Sequence, residues 1–98
     1  MQAVLTDETI QTALNDLTGW RFEENAIHRE YTFATFTQAM GFITEMAFAC
    51  EKANHHPELY NVYNKVHLHL TTHDAGNKVT QKDLDLAKAI ETIAQTRF

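Results

Sequence analysis

Six histidines stand among 98 residues, and five of them, His55, His56, His67, His69 and His73, fall within one stretch of the chain. A neutral imidazole can take a proton on one nitrogen and give one from the other near pH 6.5, so such a group suits acid–base chemistry on a small molecule. Three arrangements are distinct. His55-His56-Pro57 follows an apolar helical pattern, where Pro57 favours an extended His56 and sends the two adjacent rings in different directions. Glu51 lies four residues before His55, one helical turn below it if the helix persists, where its carboxylate would orient the His55 ring. His67 and His69 share one side of a strand, about 6.6 Å apart, a spacing that could ligate zinc with a third partner. No second cysteine or histidine stands at finger spacing, so solvent-facing strand histidines are the expectation there and a metal is not. His73 sits where a strand gives way to the polar loop Asp74-Ala75-Gly76-Asn77, a boundary at which functional side chains collect.

The elements that must position these rings follow from periodicity. Thr6 caps a first helix with Ile10, Ala13, Leu14 and Leu17 on one face, running to about Asp16 and stopped by Gly19. From Trp20 the period becomes two: Trp20 and Phe22, a Glu24-Asn25 turn, then Ile27, Tyr31 and Phe33 alternating with polar residues, an antiparallel hairpin. Thr35 and Gln38 fit a capping box opening a second helix, whose stripe of Ala39, Ile43, Met46, Ala47 and Cys50 ends before Pro57. Tyr60–Tyr63 and Val66–Thr72 read as a second hairpin turning at Asn64-Lys65, with Val66, Leu68 and Leu70 inward and His67, His69 and Thr71 outward. Thr80 and Asp83 form another capping box, opening a third helix with Leu86, Ile90, Ile93 and Ala94 on its buried side. The order is αββαββα. It predicts an α+β two-layer domain over residues 1–98: an antiparallel sheet with helices on one face and the other face free.

Composition closes off other classes. The net charge of −5 and the absence of clustered Lys and Arg argue against nucleic acid as a partner. The longest apolar run, Met46 to Cys50, is far below the roughly 20 residues that span a bilayer, and no signal pattern opens the chain, so a cytoplasmic protein is expected. Three glycines, one proline and 44% apolar residues describe a folded chain. A domain this small gains from further burial, which makes a homo-oligomer the expectation. Cys50, the lone cysteine, reads as a small core residue and not as a nucleophile.

The run Glu51-Lys52-Ala53-Asn54-His55-His56-Pro57, followed by Tyr63, His73 and Asp83, resembles the signature of the pterin-4a-carbinolamine dehydratases. The resemblance extends through Glu58 to Val66, Thr71-Thr72-His73, Gly19-Trp20 and the segment from Phe33 to Phe42, nearly the whole chain. It implies an αββαββα sandwich with a four-stranded antiparallel sheet, assembled as a dimer or tetramer through sheet edges and the second helix. It implies dehydration of 4a-hydroxytetrahydropterin to quinonoid dihydropterin, recycling the pterin after aromatic amino-acid hydroxylation, with no metal or organic cofactor. By similarity His55 and His73 are the acid–base pair, His56 holds the pterin, Glu51 orients His55, and Trp20 is a candidate wall of the site. Pro57, Tyr63 and Asp83 support it, Asp83 having a sufficient role as a cap. The chain departs from many relatives at Leu59, where they carry Trp, and at Asn54, where they carry Asp. Leu59 bears on stacking beside the pterin more than on the chemistry. Some relatives also serve as dimerisation cofactors of a homeodomain transcription factor, so a non-catalytic adaptor on the same scaffold is the competing expectation.

Overall fold

In the computed structural model, which describes residues 3–98, three threonines start the three helices. Thr6, Thr35 and Thr80 each take an extended backbone and accept a backbone N–H of the first turn on their hydroxyls, from Thr9, Gln38 and Lys82 respectively. The elements are α1 (Asp7–Leu14), β1 (Arg21–Glu23), β2 (Ala26–Thr32), α2 (Phe36–Ala53), β3 (Glu58–Val62), β4 (Lys65–Leu70), a short 3₁₀ turn (His73–Ala75) and α3 (Gln81–Arg97). The αββαββα order expected from the sequence is present, with the 3₁₀ turn added before α3. All strand pairs are antiparallel in the order β1-β2-β4-β3, so β4 is flanked on both sides while β3 is an edge.

The alternation of β4 works as the sequence predicts. Val66, Leu68 and Leu70 are fully buried and meet Ile27 and Tyr31 of β2, Ala39, Phe42 and Met46 of α2, and Leu84, Leu86, Ala87 and Ile90 of α3 in one cluster. On α3 the buried apolar residues are Leu84, Leu86, Ala87 and Ile90, while Ile93 and Ala94 only flank the core. Phe42 packs against the Tyr31 and Phe33 rings, which also stack on each other, and is wholly enclosed, a position where truncation to alanine costs about 3–5 kcal/mol.

Three local features differ from the periodicity. α1 ends at Leu14, two residues earlier than its apolar spacing suggests: Asn15, Asp16 and Leu17 bond back three residues, tightening the chain while still burying Leu17, and Gly19 then turns it with φ +94°. The second hairpin turns at Tyr63-Asn64, not Asn64-Lys65, and β4 stops at Leu70. The Asn61 side-chain amide spans that loop, donating to the Tyr63 and Lys65 carbonyls, and Val62 pairs directly with Lys65, which leaves Tyr63 at φ +50°. At the start of α2 Thr35 behaves as expected, but the Gln38 side-chain carbonyl accepts from Ala34, one residue further out than a capping box requires. The first hairpin does turn at Glu24-Asn25, both at positive φ (51° and 62°), the pattern of a two-residue turn that follows strand twist.

One polar knot ties the sheet to α3. Glu91 Oε1 accepts from the Trp20 indole N–H (2.9 Å), the Tyr31 hydroxyl (2.5 Å) and the Arg29 guanidinium (3.4 Å), while Oε2 accepts from Gln95 (2.7 Å). Burial works to raise the Glu91 pKa, but the bonds from Tyr31, Gln95 and Trp20 and the Arg29 charge outweigh it, holding the carboxyl below the ordinary range. Burial and the same carboxylate push the Tyr31 phenol well up. A carboxylate with a lowered folded-state pKa stabilises the fold above its unfolded value, and that contribution is lost as pH falls through the folded value. Glu91→Gln is therefore expected to cost about 1–2 kcal/mol at pH 7 by urea unfolding, with the difference from wild type shrinking towards pH 3. A difference undiminished at pH 3 would show that the charge of Glu91 is not the stabilising element.

Candidate functional site

The last turn of α2 decides where the first two histidines go. Asn54 takes the left-handed conformation (φ 50°, ψ 45°), its N–H bonds the Glu51 carbonyl, and the His55 N–H bonds the Cys50 carbonyl at 3.1 Å. Asparagine tolerates this conformation better than most residues, which gives Asn54 a structural reason of its own. The reversal carries His55 off the face of the helix and inward. His55 is 8% exposed and His56 lies outside.

His55 meets Asp83 of α3, with Nε2 2.6 Å from Oδ1. Asp83 is fully buried, and its second oxygen accepts from the Thr72 hydroxyl (2.8 Å) and the Thr80 backbone N–H (2.9 Å). Thr72 and Thr80 share a further hydroxyl contact at 2.7 Å. The capping box expected of Thr80 and Asp83 is thus present, and the same carboxylate also engages the histidine. An ionised carboxylate only accepts, so His55 Nε2 carries the proton and a neutral His55 keeps its lone pair on Nδ1. Among the described residues no buried side-chain polar atom lacks a partner.

Glu51 pairs with His56, not His55: Oε2 is 2.7 Å from His56 Nε2. The four-residue spacing would align Glu51 with His55 only on a continuing helix, and α2 ends at Ala53. His73 opens the 3₁₀ turn that follows β4, exposed to solvent. It nevertheless shares a cavity of about 280 Å³ with His55 and His56, walled further by Asn54, Thr71, Thr72, Asp74 and Lys82. The three histidines singled out from the sequence therefore converge. Thr71, Asp74 and Lys82 join them without a motif of their own; adjacency to His73 and to Asp83 is the one signal that points to them.

Other residues singled out from the sequence lie elsewhere. Trp20 does not wall this cavity: it is 6% exposed, locked into the core by its bond to Glu91. Tyr63 is exposed at the tip of the β3–β4 hairpin and does not line the cavity of the histidines it was expected to support. Pro57 and Leu59 line a separate apolar groove of about 330 Å³ with Ile43, Met46, Ala47 and Cys50, which touches the site through His56 and Glu51. The Leu59 departure thus bears on that groove. Cys50 is buried and burial raises its thiol pKa, which keeps it protonated and agrees with a core role. A larger hollow of about 580 Å³ between the end of α1 and α3 is walled by Leu17, Lys88, Glu91 and neighbouring polar residues, but it holds no imidazole. Among the described residues no helix is long and apolar enough to cross a membrane.

Known proteins share the sequence and the fold of this chain. The sequence profile of the family described as Pterin 4 alpha carbinolamine dehydratase matches residues 3–93. A relative from Opitutus terrae bearing that family's name is 47% identical over 94 residues, spanning 96% of this chain and 97% of its own. One from Rhodopseudomonas palustris is 50% identical over 92 residues, covering 92% and 90% of the two chains. Among solved structures, a transcriptional coactivator/pterin dehydratase from Brucella melitensis superposes with a TM-score of 0.88 at 38% identity over 94% of this chain and 99% of that one. A pterin dehydratase-like protein identified as a RuBisCO assembly factor of the alpha-carboxysome shares the fold, with a TM-score of 0.62 at 16% identity over 76% of this chain and 86% of that one. The chain belongs to the pterin-4-alpha-carbinolamine dehydratase family.

Proposed function

We propose that this protein is a cytoplasmic single-domain hydro-lyase that dehydrates 4a-hydroxytetrahydropterin to the quinonoid dihydropterin, by histidine acid–base catalysis. The observation that carries the proposal is the meeting of His55, His56 and His73 around one polar cavity. Its volume is near the lower end of small-molecule sites, about 300 Å³, which suits a compact bicyclic ring.

The elimination breaks the bond between C4a and its hydroxyl and removes the proton from N5, so it needs one group to protonate the leaving oxygen and one to take the nitrogen's proton. His55, holding a lone pair on Nδ1 while Nε2–H is engaged by Asp83, is suited to take the N5 proton, and the Asp83 charge stabilises the imidazolium that forms. His73, which borders the same cavity at the start of the 3₁₀ turn and is exposed to solvent, is suited to give a proton to the leaving hydroxyl, which departs as water. Proton return from His55 to His73 through solvent restores the starting state. His56, oriented by Glu51, holds the ring and its 4a-hydroxyl. Glu51 thus keeps a role in the site through His56 and not, as its spacing suggests, through His55. The hydroxylase that makes the substrate is an aromatic amino-acid hydroxylase in this reading.

The competing adaptor reading has support in the names of two structural relatives, and the same assay separates the two. Purified protein is expected to exceed the spontaneous dehydration rate, with His55→Ala and His73→Ala each reducing kcat about a hundredfold or to the spontaneous rate, and His56→Ala acting mainly on KM. Wild-type turnover no faster than the buffer reaction would favour the adaptor, and unchanged activity in both variants would remove the catalytic roles.

A homo-oligomer belongs to the same proposal. Edge strand β3 has one side free of a partner strand, and it exposes Leu59, Tyr60 and Val62, with Tyr63 at its tip. Sedimentation equilibrium is expected to give a mass of two or four chains, and Tyr60→Lys with Val62→Lys to lower it. A monomer at micromolar concentration would count against assembly.

A further inference from the structure

The solvent face of the sheet holds a second group of histidines that the proposed dehydration does not use. The antiparallel register of β2 and β4 sets His28 opposite His69 and Glu30 opposite His67, which puts His28 diagonally across from His67. The three rings pack edge to face, with His28 centred 5.5 Å from His67 and 4.6 Å from His69. His28 Nδ1 lies 3.2 Å from His67 Nε2, and His28 Nε2 lies 3.2 Å from the Glu23 carbonyl oxygen. None of these residues borders the cavity of His55 and His73.

A carbonyl oxygen only accepts, so the contact with Glu23 places the ring proton of His28 on Nε2 and leaves the Nδ1 lone pair turned towards His67. We propose that His28 Nδ1 and His67 Nε2 form a two-imidazole chelating site for a late first-row divalent cation such as zinc. Two nitrogens bound to one tetrahedral zinc at about 2.0–2.1 Å stand about 3.3 Å apart, close to the spacing already present. A ligating histidine characteristically donates its other ring N–H to a carbonyl or carboxylate, and the bond from His28 to Glu23 supplies that support in advance. His67 joins by moving its ring proton from Nε2 to Nδ1, a tautomer change that releases no proton when the ring is neutral. Neutral imidazole suits zinc, copper and nickel. Glu58, 3.7 Å from His69, and Glu30 on the same face add negative charge near the pair, against Arg21, which is itself paired with Glu23, and Lys65. Among the described residues no three such side chains stand ready to enclose an ion, so this is an open site completed by water and of moderate affinity.

Zinc titrated into the full chain at pH 7.5 by calorimetry tests the site. Wild type is expected to bind zinc, His28→Ala and His67→Ala each to weaken that binding at least tenfold, and His73→Ala to leave it unchanged. Imidazole ¹⁵N spectra of the wild-type protein, which need no variant to fold, are expected to show zinc shifting His28 Nδ1 and His67 Nε2 first. No binding at millimolar zinc, undiminished affinity in His28→Ala and His67→Ala, loss of binding in His73→Ala, or first shifts at His55, His56 or His73 would each overturn the proposal.

Discussion

A single buried carboxylate holds this molecule's site together. Asp83 has no exposure to solvent, so its charge depends on the groups that replace water: the Thr72 hydroxyl, the Thr80 backbone N–H and the His55 ring. Those partners come from the chain after β4, the N-cap of α3 and the segment beyond α2. One oxygen pair therefore closes the start of a helix, ties down the approach to the 3₁₀ turn that presents His73, and sets the orientation of His55. Because each partner is also a structural joint, the placement of His55 is inherited from the fold.

The left-handed turn at Asn54 divides the work between two consecutive histidines. His55 is turned into a desolvated contact, where its bond to Asp83 is short and shielded; His56 is left outside with Glu51 in water. An exposed pair of that kind contributes little to stability, so the significance of Glu51 lies in how it directs the His56 ring. Farther along α3 Glu91 does comparable joining work, gathering Trp20 before the first hairpin and Tyr31 and Arg29 of β2 onto the helix. Two acidic residues on successive parts of one helix thus anchor the sheet at two places, one of them beside the cavity and one remote from it.

Much of this is legible in the residues themselves. Threonine caps, apolar stripes and the alternation of Val66, Leu68 and Leu70 determine element order and burial, because those signals are local. The gathering of His55, His56 and His73 is reachable only through the family signature, since no local rule brings residues 18 apart together. Spacing alone assigns Glu51 the wrong histidine, because it assumes a continuing helix and the turn at Asn54 ends it. Trp20 shows a second limit: an aromatic residue near a signature says nothing of which side of the sheet it enters. The capping role of Asp83 is plain from its distance to Thr80, whereas its bond to His55 needs the return of the chain after β4, a long-range fact. Lys82 and Asp74 carry no motif beyond their adjacency to Asp83 and His73, and it is the cavity they border that brings them into the site.

If Asp83 governs the site as described, its bond fixes the His55 ring with the proton on Nε2 and the lone pair on Nδ1. Imidazole ¹⁵N–¹H correlation spectra of neutral His55, comparing wild type with Asp83→Asn, read this out. The expected spectrum shows an Nε2–H tautomer for His55 with a strongly deshielded, slowly exchanging proton in wild type, and loss of that signal in the variant. A wild-type His55 protonated on Nδ1, or a spectrum unaltered by Asp83→Asn, would refute the role given to the carboxylate.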